Sequence, residues 1–528
     1  MASTEDSMEQ SGDQSPARTR SPMLRHTADD APHTPPRVAV RASSGAVRSR
    51  KTTADDSQRR ITSLNLRRVA TTMLQPEKKL GPPPSAWRSI RSIILASWLN
   101  VLLVFIPISW ALNFALPDQQ TLIFVFAFLA IIPLAKLLAF ATDELSMRVG
   151  QTLAGLLNAT LGNAVELIVA IIALVKCELS IVQSSLVGSI LSNLLLVLGM
   201  CFFAGGLRFS EQGFGQSAVQ LNSSLLTISV IAVLLPGAFH FALSQNTSQD
   251  EGTIDQEILK TSHGVAIILL FIYASYLVFQ LFSHKALYDD ANEDILISKK
   301  YDKNPFVLKR HRKNASAHDD GRVTDGILMT SPINTRLSEE GTPLPAEGGP
   351  EDVESGHSDE QDEETPQMSV PVCLGLLIVV TVLVAVTAEF LVDSINGLTD
   401  TGHIGKEFVG VILLPIVGNA AEHVTAVTVS VKDKLTLSLG VAVGSSIQIA
   451  LFVIPFIITL GWILGKPLTL LFDPLESVVL FLAVLTVNYC VQDGKSNWLE
   501  GMILMCLYLI LGVTFWFYPG TDGIFTSC

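Results

Sequence analysis

The sequence predicts an all-α polytopic membrane protein with eleven transmembrane helices. Of its 528 residues, 48% are hydrophobic and only 16% are charged, a composition too apolar for a set of soluble domains. From residue 92 onward, apolar runs follow one another, each near the ~20 residues that cross a ~30 Å hydrocarbon core. These runs lack the alternation of barrel strands. Since only helices and closed barrels satisfy their backbone groups in lipid, we assign the runs as helices.

The N-terminal region, residues 1–85, is rich in Ser, Thr, Pro and Arg and has few aromatic residues. Such a composition cannot bury enough apolar surface to order itself, so we predict a disordered basic tail. The first membrane helix is predicted at 92–115. The other ten predicted spans are 120–142, 152–176, 182–206, 221–243, 263–283, 370–393, 408–431, 436–462, 474–490 and 500–518.

A long polar loop, residues 284–369, divides these ten helices into two groups of five, at 120–283 and 370–518. Because five is odd, the second group enters the membrane in the opposite sense from the first. The sequence therefore predicts two inverted five-helix repeats, an architecture in which ion sites lie near the membrane midplane where the repeats meet.

Charge is distributed unevenly along the chain. The formal net charge is −13, but residues 339–364 alone contain eleven Asp and Glu and no Lys or Arg. This acidic segment is predicted to be a solvated part of the loop, with weak calcium binding as the alternative. With the N-terminus in the cytosol, 31 of the 36 Lys and Arg fall on the cytosolic side. This bias predicts a cytosolic N-terminus, a cytosolic long loop and a lumenal C-terminus.

Two apolar segments carry the same polar motif, Gly-Asn-Ala-(Val/Ala)-Glu, at 162–166 and 418–422. A charge at the centre of a membrane helix costs at least about 2.5–3.5 kcal/mol, so its repetition in matching contexts indicates a shared function. The motif residues are Gly162, Asn163 and Glu166 in the first repeat and Gly418, Asn419 and Glu422 in the second.

Polar residues also recur at equal distances after the two glutamates. Ser189 follows Glu166 by 23 residues, and Ser445 follows Glu422 by the same distance. Ser192 and Gln448 match at 26 residues. Upstream, each repeat has one further acid in its first helix, Asp143 and Glu389.

All of these side chains offer oxygen, the ligand that hard divalent cations such as calcium prefer. Two glutamates would neutralise one divalent ion, and without that ion their burial and mutual repulsion favour protonation. The glycines allow a close helix approach or a helix break that exposes carbonyl groups. The sequence therefore predicts a metal site of Glu166, Glu422, Asn163, Asn419, Ser445, Gln448, Ser189 and Ser192, with proton coupling through Glu166, Glu422, Asp143 and Glu389.

Other interpretations of the same residues remain open. Asn163 and Asn419 could instead hydrogen-bond between helices, and the small polar residues could pack helices. Asp143 and Glu389 could be interfacial. A sodium-coupled or manganese-preferring exchanger, a channel, and an intramembrane hydrolase are alternative functions; the chain has no HExxH zinc motif, which disfavours the hydrolase.

The segments GLLNATLGNAVELIVAIIAL and GNAAEHVTAVTVSVKDKL resemble the two signature repeats of the calcium/proton exchanger branch of the calcium/cation antiporter superfamily. GSILSNLLLVLG and GSSIQIALFVIPF are similar to its serine-containing segments. The resemblance covers roughly residues 90–285 and 368–518 and is greatest to fungal vacuolar members.

The resemblance implies a sodium/calcium exchanger-type fold and secondary active exchange of cytosolic Ca²⁺ for vacuolar H⁺. It implies Glu166 and Glu422 as central metal and proton ligands, assisted by Asn163, Asn419, Ser445 and Gln448. It also implies a vacuolar membrane location. We expect no enzymatic activity, no cofactor beyond Ca²⁺ as the transported substrate, and no nucleic-acid partner; Ca²⁺, H⁺ and the lipid bilayer are the expected partners.

Overall fold

The computed structural model describes residues 81–244, 251–288, 294–301, 365–400, 402 and 404–520. The acidic segment 339–364 and all of the predicted tail except 81–85 lie outside these residues. The described chain is mostly helical. Its helices up to the long loop are α1 Ala86–Leu95, α2 Phe105–Ala115, α3 Gln120–Ser146, α4 Gln151–Leu161, α5 Ala164–Val175, α6 Leu179–Leu191, α7 Leu198–Gly206, α8 Gln216–Ser244 and α9 Glu251–Val278.

The helices after the loop begin close to the predicted boundary at 370. They are α10 Val370–Thr399, α11 Lys406–Phe408, α12 Leu414–Gly418, α13 Ala420–Val431, α14 Leu435–Gln448, α15 Ile454–Leu464, α16 Pro474–Cys490 and α17 Trp498–Phe517. Four π-helical segments, Ser192–Val197, Phe279–Ser283, Val409–Leu413 and Ile449–Val453, and two 3₁₀ segments, Trp98–Val104 and Lys285–Tyr288, join or extend these helices.

Within the described residues, eight helical segments are long and apolar enough to cross a membrane. A ninth is formed if Lys406–Gly418 and Ala420–Val431, which meet at a 57° bend, count as one span. Two shorter apolar helices, Ala164–Val175 and Pro474–Cys490, fall on two other predicted spans. The number eleven and the inverted layout stay predictions.

The first predicted helix, 92–115, is interrupted. α1 ends at Leu95, and after a short break the chain continues as a 3₁₀ segment and then α2. Ser97 accepts a hydrogen bond from the Leu99 backbone N–H, and the Asn100 side chain donates to the carbonyls of Ile93 and Ile94. These side-chain contacts satisfy backbone groups at the break, which explains why an apolar run need not be one continuous helix.

The prediction of a wholly α-helical chain needs correction, because three short strands form a small sheet in the order β2-β1-β3. β1 is Phe209–Gly213, β2 is Lys299–Lys300 and β3 is Lys495–Ser496, and both pairings are antiparallel. β2 comes from the long loop 284–369, so part of that loop is held against the helical body. Glu211 of β1 forms ion pairs with Lys299 at 2.8 Å and Lys495 at 3.8 Å.

The two segments that follow the glutamate motifs lie at the centre of the bundle. In Leu179–Gly206, 83% of the most apolar window is buried, and in Leu435–Leu464 the figure is 56%, against 22% for Val370–Thr399. Large apolar side chains such as Phe241, Phe271 and Ile463 are exposed on the outer helices. Exposed apolar surface of this extent suits contact with lipid.

Candidate ion-binding site

Each glutamate of the repeated motif lies in the first turn of a half-helix. α4 ends at Leu161 and α5 begins at Ala164, which places Asn163 at the helix cap and Glu166 in the first turn. The second repeat has the same arrangement, with Asn419 at the cap of α13 and Glu422 in its first turn. The free N–H groups and the positive dipole end of a helix favour a negative charge at this position.

A glycine of one half seats the glutamate of the other. Glu166 is buried, with 9% of its surface exposed. A Cβ atom added to Gly418 would be 2.6 Å from Glu166 Oε1, so only glycine leaves room for the carboxylate at this break. Glu422 lies near enough for its charge to interact with that of Glu166. The structure thus brings the two predicted acids together in the interior.

Amide and hydroxyl groups join the halves around Asn163. The Asn163 amide donates to Gln448 Oε1 at 2.7 Å, and the Ser445 hydroxyl donates to Asn163 Oδ1 at 2.7 Å. Asn193 donates to Ser445 Oγ at 3.1 Å. Asn193 is fully buried and was not among the predicted site residues, because its repeat-related position in the second half is Ile449.

A second set of contacts surrounds the other motif. The Asn419 amide donates to the Ser189 carbonyl at 3.3 Å, and Ser192 Oγ lies 3.4 Å from His423 Nε2. These bonds also cross between the halves. All eight residues predicted as metal ligands therefore lie in one region of the bundle interior.

Three oxygen atoms at this site are buried and accept no hydrogen bond from any described residue. They are Glu422 Oε2, Asn419 Oδ1 and Asn193 Oδ1. A buried acceptor without a donor costs on the order of 1–3 kcal/mol, so such atoms call for an explanation. A bound cation would satisfy all three, because carboxylate and amide oxygens are the ligands of hard cations.

The two glutamates line different cavities. Glu422 lines a cavity of about 440 Å³ together with Asp143, Gly162, Ser445 and Gln448. Glu166 lines a void of only about 20 Å³ with Ser189 and Gly418. The site is therefore open on the Glu422 side and closed on the Glu166 side.

A pair of repeat-related glycines reflects the same asymmetry. A Cβ added to Gly188 would meet the Val411 carbonyl oxygen at 2.3 Å and Pro415 Cγ at 2.6 Å, whereas one added to Gly444 would meet nothing within 4 Å. The helix crossing at Gly188 is thus closed, and the equivalent one at Gly444 is open.

The two acids predicted in the first helix of each repeat occupy different surroundings. Asp143 lines the larger cavity with Glu422. Glu389 pairs with Lys176 at 3.1 Å, its side chain is 48% exposed, and it lines neither of these two cavities. Lys176 also pairs with Asp393 at 3.0 Å, and the hydrogen bond from this lysine to Asp393 raises the pKa of Lys176. Glu389 thus belongs to a half-exposed ion-pair cluster at the end of α5.

The donor set fits a transported ion better than a tightly held structural metal. Among the described residues, no group of three or more His, Cys, Asp or Glu is placed to hold a metal ion. Two carboxylates supplemented by amide, hydroxyl and backbone oxygens form a site that a hard cation can enter and leave.

Comparison with known proteins matches this arrangement to a family. The family model for sodium/calcium exchanger proteins matches residues 119–282 and 372–517, the two halves that build the site. The chain belongs to the sodium/calcium exchanger protein family. Membership in this family confirms the resemblance that was read from the signature motifs.

Several members of the sodium/calcium exchanger family are similar over most of the chain. A vacuolar calcium ion transporter from Cryptococcus neoformans var. grubii is 51% identical, covering 96% of this chain and 88% of its own. A Ca²⁺/H⁺ antiporter from Aphanothece halophytica is 41% identical over 79% of this chain and 96% of its own. The crystal structure of the Ca²⁺/H⁺ antiporter protein YfkE is 27% identical, with a TM-score of 0.56 over 80% of this chain and 99% of its own.

Proposed function

We propose that this protein is a secondary active antiporter of the vacuolar membrane that moves cytosolic Ca²⁺ into the vacuole in exchange for H⁺. The observation that carries the proposal is the cluster of three buried acceptor oxygens without donors around Glu166 and Glu422. The relatives named above as a vacuolar calcium transporter and as Ca²⁺/H⁺ antiporters support the choice of ion and compartment. A transport role makes a catalytic one unnecessary.

The proposal includes eleven membrane helices, arranged as one N-terminal helix and two inverted five-helix repeats. Helix breaks at equivalent motif positions, Gly162–Asn163 and Gly418–Asn419, support the repeat. So do the π-helical segments Ser192–Val197 and Ile449–Val453, which begin 26 and 27 residues after the two glutamates. Elements that match in kind as well as in position favour a duplicated architecture.

In this arrangement, with the N-terminus in the cytosol, the larger cavity opens toward the cytosol. Its lining includes the end of α3 at Asp143, the α4 residue Asn158 and the start of α14 at Thr436, which the predicted topology places on that side. A cytosolic Ca²⁺ ion would therefore meet Glu422 first. The closed crossing at Gly188 would block its passage to the lumen.

Exchange follows from the charges that two buried carboxylates impose. Two unpaired negative charges are costly to bury, so the site holds either one divalent cation or protons. A conformational change that closes the cytosolic cavity and opens the lumenal side transports whichever occupant is bound. Return with protons completes the cycle, and the stored proton gradient drives Ca²⁺ accumulation.

The test is Ca²⁺ uptake into vesicles with an imposed pH gradient. Glu166→Gln and Glu422→Gln should each abolish uptake, because the amide cannot neutralise a divalent ion or exchange a proton. Glu257→Gln is the matched control, since Glu257 is a half-exposed membrane-helix acid paired with Lys260 on the same helix. Substantial uptake by either site variant would refute the assigned site.

The alternatives are separated in the same vesicles. A protonophore should stop uptake at constant sodium concentration, whereas a sodium-coupled exchanger would continue. Competition by Mn²⁺ measures its preference relative to Ca²⁺. Single-channel currents that ignore the pH gradient would overturn antiport altogether.

A further inference from the structure

A second pair of glutamates is buried at the end of the bundle where α11 and α16 begin. Glu407 lies in α11, and Glu476 lies in the first turn of α16. Their exposed fractions are 8% and 1%. The two carboxyl groups lie within hydrogen-bonding reach of one another. Neither residue belongs to the repeated motif or to the ion site described above.

The polar groups around this pair are already engaged. Asp473 caps α16, accepting from the N–H groups of Leu475 and Glu476, and both of its oxygens accept from the Tyr518 hydroxyl, at 3.1 and 2.9 Å. Burial and this hydrogen bond to Asp473 raise the pKa of Tyr518, so the hydroxyl keeps its proton. Lys406, the nearby cation, lies 3.8 Å from Glu178 Oε2.

No other charged group compensates the pair. The facing segment of α6, Leu179–Leu191, has no titratable side chain, and Asp400 at the end of α10 lines the same surface groove as Lys406 and Tyr518. Among the described residues, neither Glu407 nor Glu476 forms an ion pair. Glu476 Oε1 is buried and accepts no hydrogen bond from a described donor.

Two adjacent buried carboxylates cannot both be charged without a large desolvation and repulsion cost. A metal ion would need more ligands than the pair offers, since no described group of three acidic, His or Cys residues is placed for one. A single proton needs only one oxygen from each carboxyl group. It converts the pair into a carboxylic acid that donates to a carboxylate, a strong charge-assisted hydrogen bond.

We propose that Glu407 and Glu476 share one proton and form a second proton-binding site, distinct from Glu166 and Glu422. The shared proton holds the start of α11 against the start of α16. α11 opens the segment Lys406–Gly418, whose last residue seats Glu166. Loss of the proton leaves two like charges that push the helix starts apart. The pair therefore makes the position of this segment sensitive to pH.

The test uses the full-length protein purified in detergent and needs no transport measurement, so it stands or falls separately from the proposed function. In Glu476→Gln the amide donates to the Glu407 carboxylate and replaces the shared proton. The infrared band of a protonated carboxylic acid should lose intensity equivalent to one group in this variant. Glu407→Gln should give the same loss if the first variant does not fold, and Glu257→Gln serves as the control without loss.

The second measurement is the melting temperature between pH 5 and pH 8. A proton bound more tightly in the folded state stabilises the protein at low pH, and that contribution disappears as pH rises. The melting temperature of Glu476→Gln should therefore rise relative to the unmodified protein as pH increases. Parallel curves together with an unchanged infrared band would overturn the proposal. Stabilisation by Ca²⁺ that requires Glu476 in a Glu166→Gln, Glu422→Gln background would also overturn it, in favour of a cation site.

Discussion

The repeat-related glycines Gly188 and Gly444 allow a direct test of the closed and open helix crossings. Alanine at either position gains the same intrinsic helix propensity, about 0.5–1 kcal/mol, so that contribution cancels when the two variants are compared. What remains is the clash at Gly188, where the added Cβ would lie 2.3 Å from the Val411 carbonyl oxygen. Backbone cannot rotate away as a side chain can, so we expect the usual overpacking cost of about 1–3 kcal/mol.

Gly188→Ala should therefore be less stable than Gly444→Ala by about 1–3 kcal/mol. Thermal unfolding can be followed with a thiol-reactive fluorogenic dye, because Cys201 and Cys373 are fully buried in the folded protein. Gly444→Ala should melt at or above the temperature of the unmodified protein. Equal melting temperatures for the two variants, or the reverse order, would refute the close crossing at Gly188.

Transport adds a second readout to the same pair. If the halves exchange roles during the cycle, the crossing at Gly444 must close when the one at Gly188 opens. Gly444→Ala should then slow Ca²⁺ uptake severalfold without loss of stability. Full uptake by this variant would show that Gly444 never enters a close crossing.

Three further predictions concern single side chains. Asn193→Ala removes a buried hydrogen bond at the ion site, worth about 1 kcal/mol, and should raise the apparent KM for Ca²⁺ roughly fivefold; an unchanged KM would remove Asn193 from the site. Glu389→Gln should keep uptake within about twofold, since half-exposed ion pairs contribute about 0–1 kcal/mol; loss of proton coupling in the vesicle assay would instead support the proton role. The hydrogen bond from Lys299 holds the pKa of Glu211 below its ordinary value, so the β1–β2 contact should persist at neutral pH and weaken as pH falls below that value; proteolysis at 294–301 that increases on acidification, but is pH-independent in Glu211→Gln, would confirm this.

The sequence allowed the position of the site to be predicted because its key residues are duplicated. Charged and amide side chains are rare in apolar helices, so a motif repeated at equal offsets marks the same three-dimensional feature twice. Glu166, Glu422 and the hydroxyl and amide residues that follow them do come together. Asn193 escaped this reasoning, because a search for matched positions overlooks a residue that only one half carries.

Other features depend on tertiary contacts that local patterns do not encode. β2 and β3 have two residues each, too short for the alternation that identifies a strand. The break after α1 arises where polar side chains bind backbone groups inside an apolar run. The second carboxyl pair joins residues 69 positions apart, Glu407 and Glu476, which only packing of α11 against α16 brings together. Length and hydropathy alone could not reveal any of these.

The contact of Gly418 with the Glu166 carboxylate ties the fate of each half to the other. A methyl group introduced on the second repeat would displace an acid that belongs to the first, so damage on one side of the molecule is felt as a defect on the other. The two repeats are therefore not free to diverge independently in evolution. A change at either motif is tolerated only when its counterpart across the interface adjusts with it.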